Sequence, residues 1–396
     1  GDVVNPIYGS AGQPVSLTIE RQPYNDRGRT HDTEARVTEI TWPGPGGAPA
    51  ESLERWYPIP IGYPGRIDDG TITRGSPGIV VGQSLGNVTY ILISIEPVQA
   101  THVYVFDESG SQRMAVSTVK DGNDRSVAVV LMTGYGRDRT LSEYWIGFSR
   151  DDGGGILNKT QSAAIEGLGE VIRWGLEQCT VPISHGDWAR IQVDLDSMMK
   201  VAGYLDEPAN PWDWIKEYFL PLAPIDVQSG PHGLYPVLWR QSREEDAVKH
   251  LVAGSGSGVE RTSRVEYTRT KDKLVNGYVV RYAIRADTDD PYQTLSITPK
   301  TTGRQSSSKY RSGAADRSAN RYGIIAITEI ESRWLWTEYG AANWASWKLQ
   351  DSSIIPRKVS YRAPIGDGWL LRAGYVVTIT DSELYFNRQV ATVKTA

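Results

Sequence analysis

Apolar positions along most of this chain fall into short runs that alternate with polar ones, and they take up a helical period in only a few places. Residues 37–42, 88–95, 102–106, 112–119 and 126–132 read as strands, with 107–111 and 121–123 as turns, so the later part of this region is expected to be a meander. Between them, residues 56–67 (WYPIPIGYPGRI) carry prolines that forbid a central strand and favour an extended or edge segment, or a surface loop. Three consecutive glycines in the DDGGG run at 151–155 interrupt the pattern and mark a boundary, expected to be a solvated linker.

Helical spacing follows. Ile165, Leu168, Ile172, Leu176 and Cys179 trace one face, which makes Cys179 a small core residue rather than a nucleophile. Trp188, Ile191, Leu195 and Met198 trace a second, although 189–195 also reads as a strand. Asn210 before Pro211 is a helix start signal, for a short helix that buries Trp212, Ile215 and Phe219 and ends at Pro221. Strands are expected at 232–240, 265–268 and 274–283, with GSGSG at 254–258 as a hairpin tip or linker. Residues 300–321 hold Lys300, Arg304, Lys309, Arg311, Arg317 and Arg321 against the single acid Asp316, and are expected to form a mobile solvated loop, with a nucleic-acid contact or an acidic neighbour as alternatives.

The last quarter reads as a strand at 324–330, a helix after Ser332, and strands at 358–362 and 370–380, with Gly366, Asp367 and Gly368 as a turn. On that helix Trp336, Tyr339, Trp344 and Trp347 fall on one face, and Trp334, Ala341 and Ala345 on the other. The expected class is therefore β-rich α+β and multi-domain: a β-rich region at 1–150, a helical or mixed one at 156–230, β at 231–300, the basic Ser/Gly-rich loop at 301–322, and a C-terminal β domain with one aromatic helix at 323–396.

Composition agrees, since 40 Gly, 22 Pro and 21 Tyr against 4 Phe and 4 Met suit a turn-rich β protein. A single cysteine excludes an internal disulfide framework and any multi-cysteine metal site, and points to synthesis in a reducing cytoplasm. No apolar run is long enough to span a bilayer, and no basic start precedes an apolar core. The chain begins at Gly1 rather than Met, as a trimmed product would. A net charge of −5 gives no broad electrostatic attraction to nucleic acid.

Enzyme motifs are sparse. Gly82, Ser84 and Gly86 fit GxSxG, but a nucleophile elbow needs a helix next and 88–95 reads as a strand, so a glycine-flanked turn is expected. There is no HExxH, P-loop or dinucleotide fingerprint. His31, His102, His185, His232 and His250 are scattered, and His185 with Asp187 has no metal-ligand spacing. Asp151 with Asp152 lacks the alternating oxygens of a calcium loop. Asp68 with Asp69 and Glu244 with Glu245 could equip a glycosidase only if the fold brought distant carboxylates together, and adjacent acids read as a solvated turn or face. Thirteen tryptophans raise sugar stacking, yet Trp336, Trp344 and Trp347 share a helical face, where core packing is the reading. No catalytic residue, metal ligand or cofactor is assigned, and no enzymatic activity is expected.

Several stretches resemble phage tail hub proteins, which sit at the tip of the tail tube in long-tailed phages and related tail-like particles. They are Tyr322 with Gly323 at the start of a strand, the helix with Ala341, Ala342 and Ala345, and the GYVVTITD run from Gly374 to Asp381, which departs from the family at Tyr375 where many relatives have Asp. The NGYVVRYA run from Asn276, the order of two helices, short aromatic helix and GLYPVLW strand, and the Pro/Gly-rich 56–67 are similar as well; the likeness covers roughly the last 240 residues. It implies β-barrel-like domains, a homotrimeric ring on the tail tube or distal tail protein, a lumen for the tape-measure protein and then DNA, and attachment of tail fibres or a central spike. It implies a place in the virion at the tail tip, after assembly in the host bacterial cytoplasm. The alternatives are a carbohydrate-binding or glycan-degrading virion protein, or another tail tip component such as a distal tail protein.

Overall fold

The computed structural model describes residues 2–7, 16–20, 30–31, 35–43, 47–83, 88–108, 110–133, 144–158, 160, 162–179, 182–230, 233–238, 244–254, 257–267, 273–300, 310, 312–364, 371 and 375–393. The chain is β-rich α+β, with 40% strand and 23% helix among the described residues. Its first strands, β1 (Asp2–Ile7) and β2 (Ser16–Glu20), pair antiparallel. Residues 37–42 are not the expected strand. Thr38 N donates to Thr41 Oγ1 at 2.8 Å and Thr41 N to Thr38 Oγ1 at 3.1 Å, and these hydroxyls tie the segment into a turn.

The segment 56–67 is the opposite of a surface loop. Tyr57, Ile59, Ile61 and Ile67 are each at most 1% exposed. Lacking some N–H groups, the segment serves its neighbours through carbonyls: Pro58 O accepts from Ile95 N at 2.9 Å, Pro60 O from Ile156 N at 2.8 Å and Pro64 O from Phe148 N at 3.0 Å. Its strand β3 (Ile59–Ile61) therefore becomes a spine between the two halves of the molecule.

Six strands close a barrel in the order β4-β5-β8-β7-β6-β9: β4 (Ser76–Gln83), β5 (Val88–Ser94), β6 (His102–Asp107), β7 (Gly110–Lys120), β8 (Ser126–Thr133) and β9 (Tyr144–Gly147). The consecutive neighbours β6, β7 and β8 are the expected meander. The two long strands turn the corners. β4 pairs with β9 through Ser76–Gly78 and with β5 from Ile79 onward, while β7 pairs with β6 up to Ala115 and with β8 from Val116. Val80, Ile91, Ile93, Val103, Val105, Val130, Ile146 and Phe148 fill the interior, so the barrel is a packed body and not a pore. The outward faces of β5 and β8 are buried too, through Leu92, Val127 and Val129 against the spine, which is why both strands are almost continuously apolar.

Residues 151–155 do not form a solvated linker. Gly153, Gly154 and Gly155 are buried, and a Cβ on Gly155 would stand 2.1 Å from the Pro60 carbonyl oxygen, so only glycine lets the chain pass the spine this closely. Beyond them lie α1 (Leu168–Gln178), α2 (His185–Met198), β10 (Gly203–Leu205), paired with β3, and α3 (Pro211–Trp214), which continues as a π-type turn over Ile215–Phe219. The strand alternative for 189–195 is thus excluded. Asn210 Oδ1 accepts from Trp212 N and Asp213 N at 3.0 and 3.1 Å, the cap the Asn-Pro pair announces, although Trp214 rather than Trp212 is the fully buried ring. A hairpin of β11 (Ile225–Gly230) and β12 (Gly233–Leu238) follows.

The remainder mixes sheets. β13 (Ala247–Ala253) precedes the short strands β14 (Glu260–Arg261) and β15 (Glu266–Tyr267), and β16 (Gly277–Ile284) forms a hairpin with β17 (Pro291–Ile297). Residues 313–322, expected within a loop, form helix α4 (Gly313–Tyr322). Ala315, Ser318 and Ala319 bury one face, and Lys300 N donates to Asp316 at 2.9 Å. Gly323 closes α4 in the left-handed region (φ 67°), so Tyr322 and Gly323 end a helix and do not begin a strand. Strand β18 (Ile327–Glu331) lies parallel to β16, and buried Asn276 locks the crossover: its Nδ2 donates to Ile324 O at 2.7 Å and its Oδ1 accepts from Ala326 N at 2.8 Å.

The aromatic helix is α5 (Glu338–Ser352), and it starts later than expected, leaving Trp334 and Trp336 in the segment before it. Thr337 caps it through Gly340 N at 3.1 Å, and the carboxylate of Asp68 accepts from Glu338 N. Trp344, Ala341 and Ala345 are all buried because the helix is wedged between β16–β17 and the helical layer, whereas Tyr339, expected on the aromatic face, is 56% exposed. The strand expected at 358–362 is broken into β19 (Arg357–Lys358), paired with β15, and β20 (Tyr361–Arg362), paired with β14. Last come β21 (Val376–Asp381) and β22 (Phe386–Thr392), which with β13 form the sheet β13-β21-β22. Its small core of Leu251, Val259, Val377 and Ile379 is separate from the main one. The turn expected at Gly366, Asp367 and Gly368 lies outside the described residues.

Candidate functional site

An open groove of about 1330 Å³ is walled by α2, the turn after the π-type segment, α4, α5 and β22. Much of its lining is apolar: Leu220, Ala223, Pro224, Ile225, Leu238 and Trp347, with the exposed Ile354. Two tryptophans of α5 fix the turn that forms part of it. Trp344 Nε1 donates to Pro221 O at 2.9 Å and Trp347 Nε1 to Leu222 O at 3.1 Å. The indole hydrogen bonds satisfy carbonyls that Pro221 leaves outside regular structure, while the rings pack below.

Charge sits on the rim. Arg317 and Arg321, one turn apart on α4, face Lys348 of α5, with Asp194 and Asp351 also on the lining. Two of the cations ride on rings: Lys348 Nζ is 4.4 Å from the centre of the Trp347 ring and the Arg321 guanidinium 5.5 Å from that of Tyr322. The groove thus pairs a largely apolar lining with a mainly cationic rim, which suits a protein segment carrying an aromatic or aliphatic anchor beside an acid.

The sequence matches no model of a known protein family, and no curated protein matches it.

Residues considered for chemistry lie apart. Ser84 is outside the described residues, and antiparallel β5 follows β4 where an elbow would need a helix. His31 is a buried histidine whose Nε2 donates to Tyr57 O at 2.8 Å, and burial pushes its pKa down. His102 lies beside Asp152, His185 opens α2 on an exposed turn, His250 is 2.8 Å from Thr378 Oγ1, and His232 is outside the described residues. Asp187 accepts from Ser184 Oγ at 2.7 Å at the start of α2. Among the described residues no group of three or more His, Cys, Asp or Glu is placed to hold a metal.

The acid pairs have structural partners. Asp69 accepts from Thr71 N at 2.8 Å in a turn, and Glu244 pairs with Arg388 Nε at 2.5 Å. Asp151 is exposed, but Asp152 is buried and clamped by Arg113. Burial pushes the Cys179 thiol up to about 11, so it is no nucleophile. None of the eleven described tryptophans is exposed, and Trp188, Trp214, Trp334, Trp336 and Trp344 are at most 4% exposed. No helix among the described residues is long and apolar enough to cross a membrane.

The groove was not foreseen, because α4 supplies its cations and was read as loop. The signal was present in the small residues Ala314, Ala315, Ser318 and Ala319 at helical spacing before Gly323, but basic and serine-rich composition masked it.

Proposed function

We propose that the chain is a structural subunit of a phage tail tip, a hub that closes the distal end of the tail tube as a homotrimeric ring and links it to fibres or a spike. The observation that carries this reading is a closed, side-chain-filled barrel whose outer face is welded to the spine, the helices and the β16–β17 layer through one core. Such a body resists deformation and offers surfaces rather than a cleft for chemistry, as a ring component requires. The resemblance around Asn276 and 374–381 points the same way.

Because the barrel is filled, any passage for the tape-measure protein and DNA runs between subunits. The mild negative charge of −5 lets DNA pass without specific binding. No described tryptophan forms an exposed platform, which weighs against the sugar-binding alternative. Light scattering tests the reading: three chains of 43.8 kDa make a particle of roughly 131 kDa, with a central channel in electron micrographs. A monomer that stays monomeric when mixed with tail tubes, and leaves their ends bare, would sink it.

A further inference from the structure

We infer that the ring closes by a knob-in-groove contact: the turn at Tyr385 of one copy seats in the groove between α4 and α5 of the next. This rests on the hub reading and names the surface by which its subunits join. Tyr385 is 95% exposed and adopts a left-handed backbone (φ 54°), where glycine or asparagine is at ease and an aromatic residue is strained. An exposed ring in a strained position is doubly unfavourable in an isolated chain.

The turn that presents it is rigid. Asp381 Oδ1 accepts from Glu383 N at 3.0 Å and from Leu384 N at 3.4 Å, while its Oδ2 accepts from Tyr361 OH at 3.0 Å. Arg261 reaches both Asp381 and Glu383. Little ordering is then left for the moment of binding, and tyrosine is a residue type favoured as an interface anchor. Glu383, its side chain 75% exposed, places an acid beside the ring.

The groove is complementary, with Trp347 and Ile354 for the ring and Arg317 and Arg321 for the carboxylate. A chain cannot fill its own groove with this knob, since Tyr385 stands in solvent while the far end of its own strand β22, Gln389–Thr392, forms the groove wall. Knob and groove are different patches, so the contact is heterologous, the type that repeats into a ring when its rotation closes.

The test uses full-length chains and light scattering across concentration. Tyr385→Asn relieves the backbone strain, so its monomer should unfold at the same temperature or higher, while its assembly weakens by about thirtyfold or more. Arg317→Glu with Arg321→Glu should also yield monomers. Mixing the two variants should give a 1:1 dimer, since one offers an intact groove and the other an intact knob. Trimers that persist in both variants overturn the knob-in-groove contact and leave the ring intact. A wild type that stays monomeric at every concentration and also when mixed with tail tubes overturns both, and a lowered unfolding temperature for Tyr385→Asn with unchanged assembly assigns Tyr385 a structural role instead.

Discussion

Arg113 holds Asp152 by two hydrogen bonds, Nε to Oδ2 at 3.0 Å and Nη2 to Oδ1, with His102 Nδ1 3.7 Å away. These bonds keep its carboxyl below the ordinary value of 3.8, against the upward push of burial. A depressed folded value means that the stabilisation is complete above the unfolded value and is lost as pH falls through the folded one. Asp152→Asn should therefore unfold at a lower temperature than wild type at pH 7, and the gap should begin to narrow below about pH 4 and close as pH falls further through the folded value. An unchanged gap at pH 3 would show that the charge is not what matters. The comparison must be between variants, because other carboxyls respond oppositely. Burial raises Asp196, whose Oδ1 accepts from Glu170 N at 3.0 Å, and also raises Glu170, so both favour the fold more as pH drops.

Elements differed in how openly their residues announced them. Asn210-Pro211 was legible because capping is local: the side chain that accepts from Trp212 N and Asp213 N is two and three residues away. Asn210→Ala should cost about 1 kcal/mol in urea denaturation, and no change in midpoint would show that packing of Trp214 alone holds this turn. The strands β5 to β8 were equally plain, since apolar runs punctuated by turns need no distant partner to be recognised. Residues 56–67 hold the extended strand β3 that their prolines allow, whereas the surface-loop alternative for them and the linker reading of 151–155 fail for one reason: proline and glycine signal loops locally, and only their mutual approach at Pro60 and Gly155 makes them core. Trp336 was placed on α5 because its spacing fits, but Thr337 and Asp68 cap the helix after it.

Across the whole molecule, the outer face of the barrel, the helices and the β16–β17 layer share one core and the barrel interior forms a second beside it, whereas β13-β21-β22 relies on its own cluster of four buried residues. One salt bridge joins the segment entering the barrel to the β16–β17 hairpin: Arg74 Nε lies 3.5 Å from Asp287, which Arg285 of the same hairpin holds at 2.5 Å. The large body should unfold as a unit and the small sheet open first. Native-state hydrogen exchange should show the amides of β21 exchanging well before those of β5 and β8. Equal protection would mean that the C-terminal sheet is integral to the main fold.

By itself the sequence determined the β-rich class, the helices α1 and α3 and the buried role of Cys179, all of which depend on neighbours within a few turns of chain. Only the tertiary structure decided that two proline- and glycine-rich segments form a spine, that the barrel closes and is filled, and that α4 and α5 leave a cationic groove open beside β22. Those outcomes depend on contacts between residues far apart in sequence, whose pairing no local periodicity encodes.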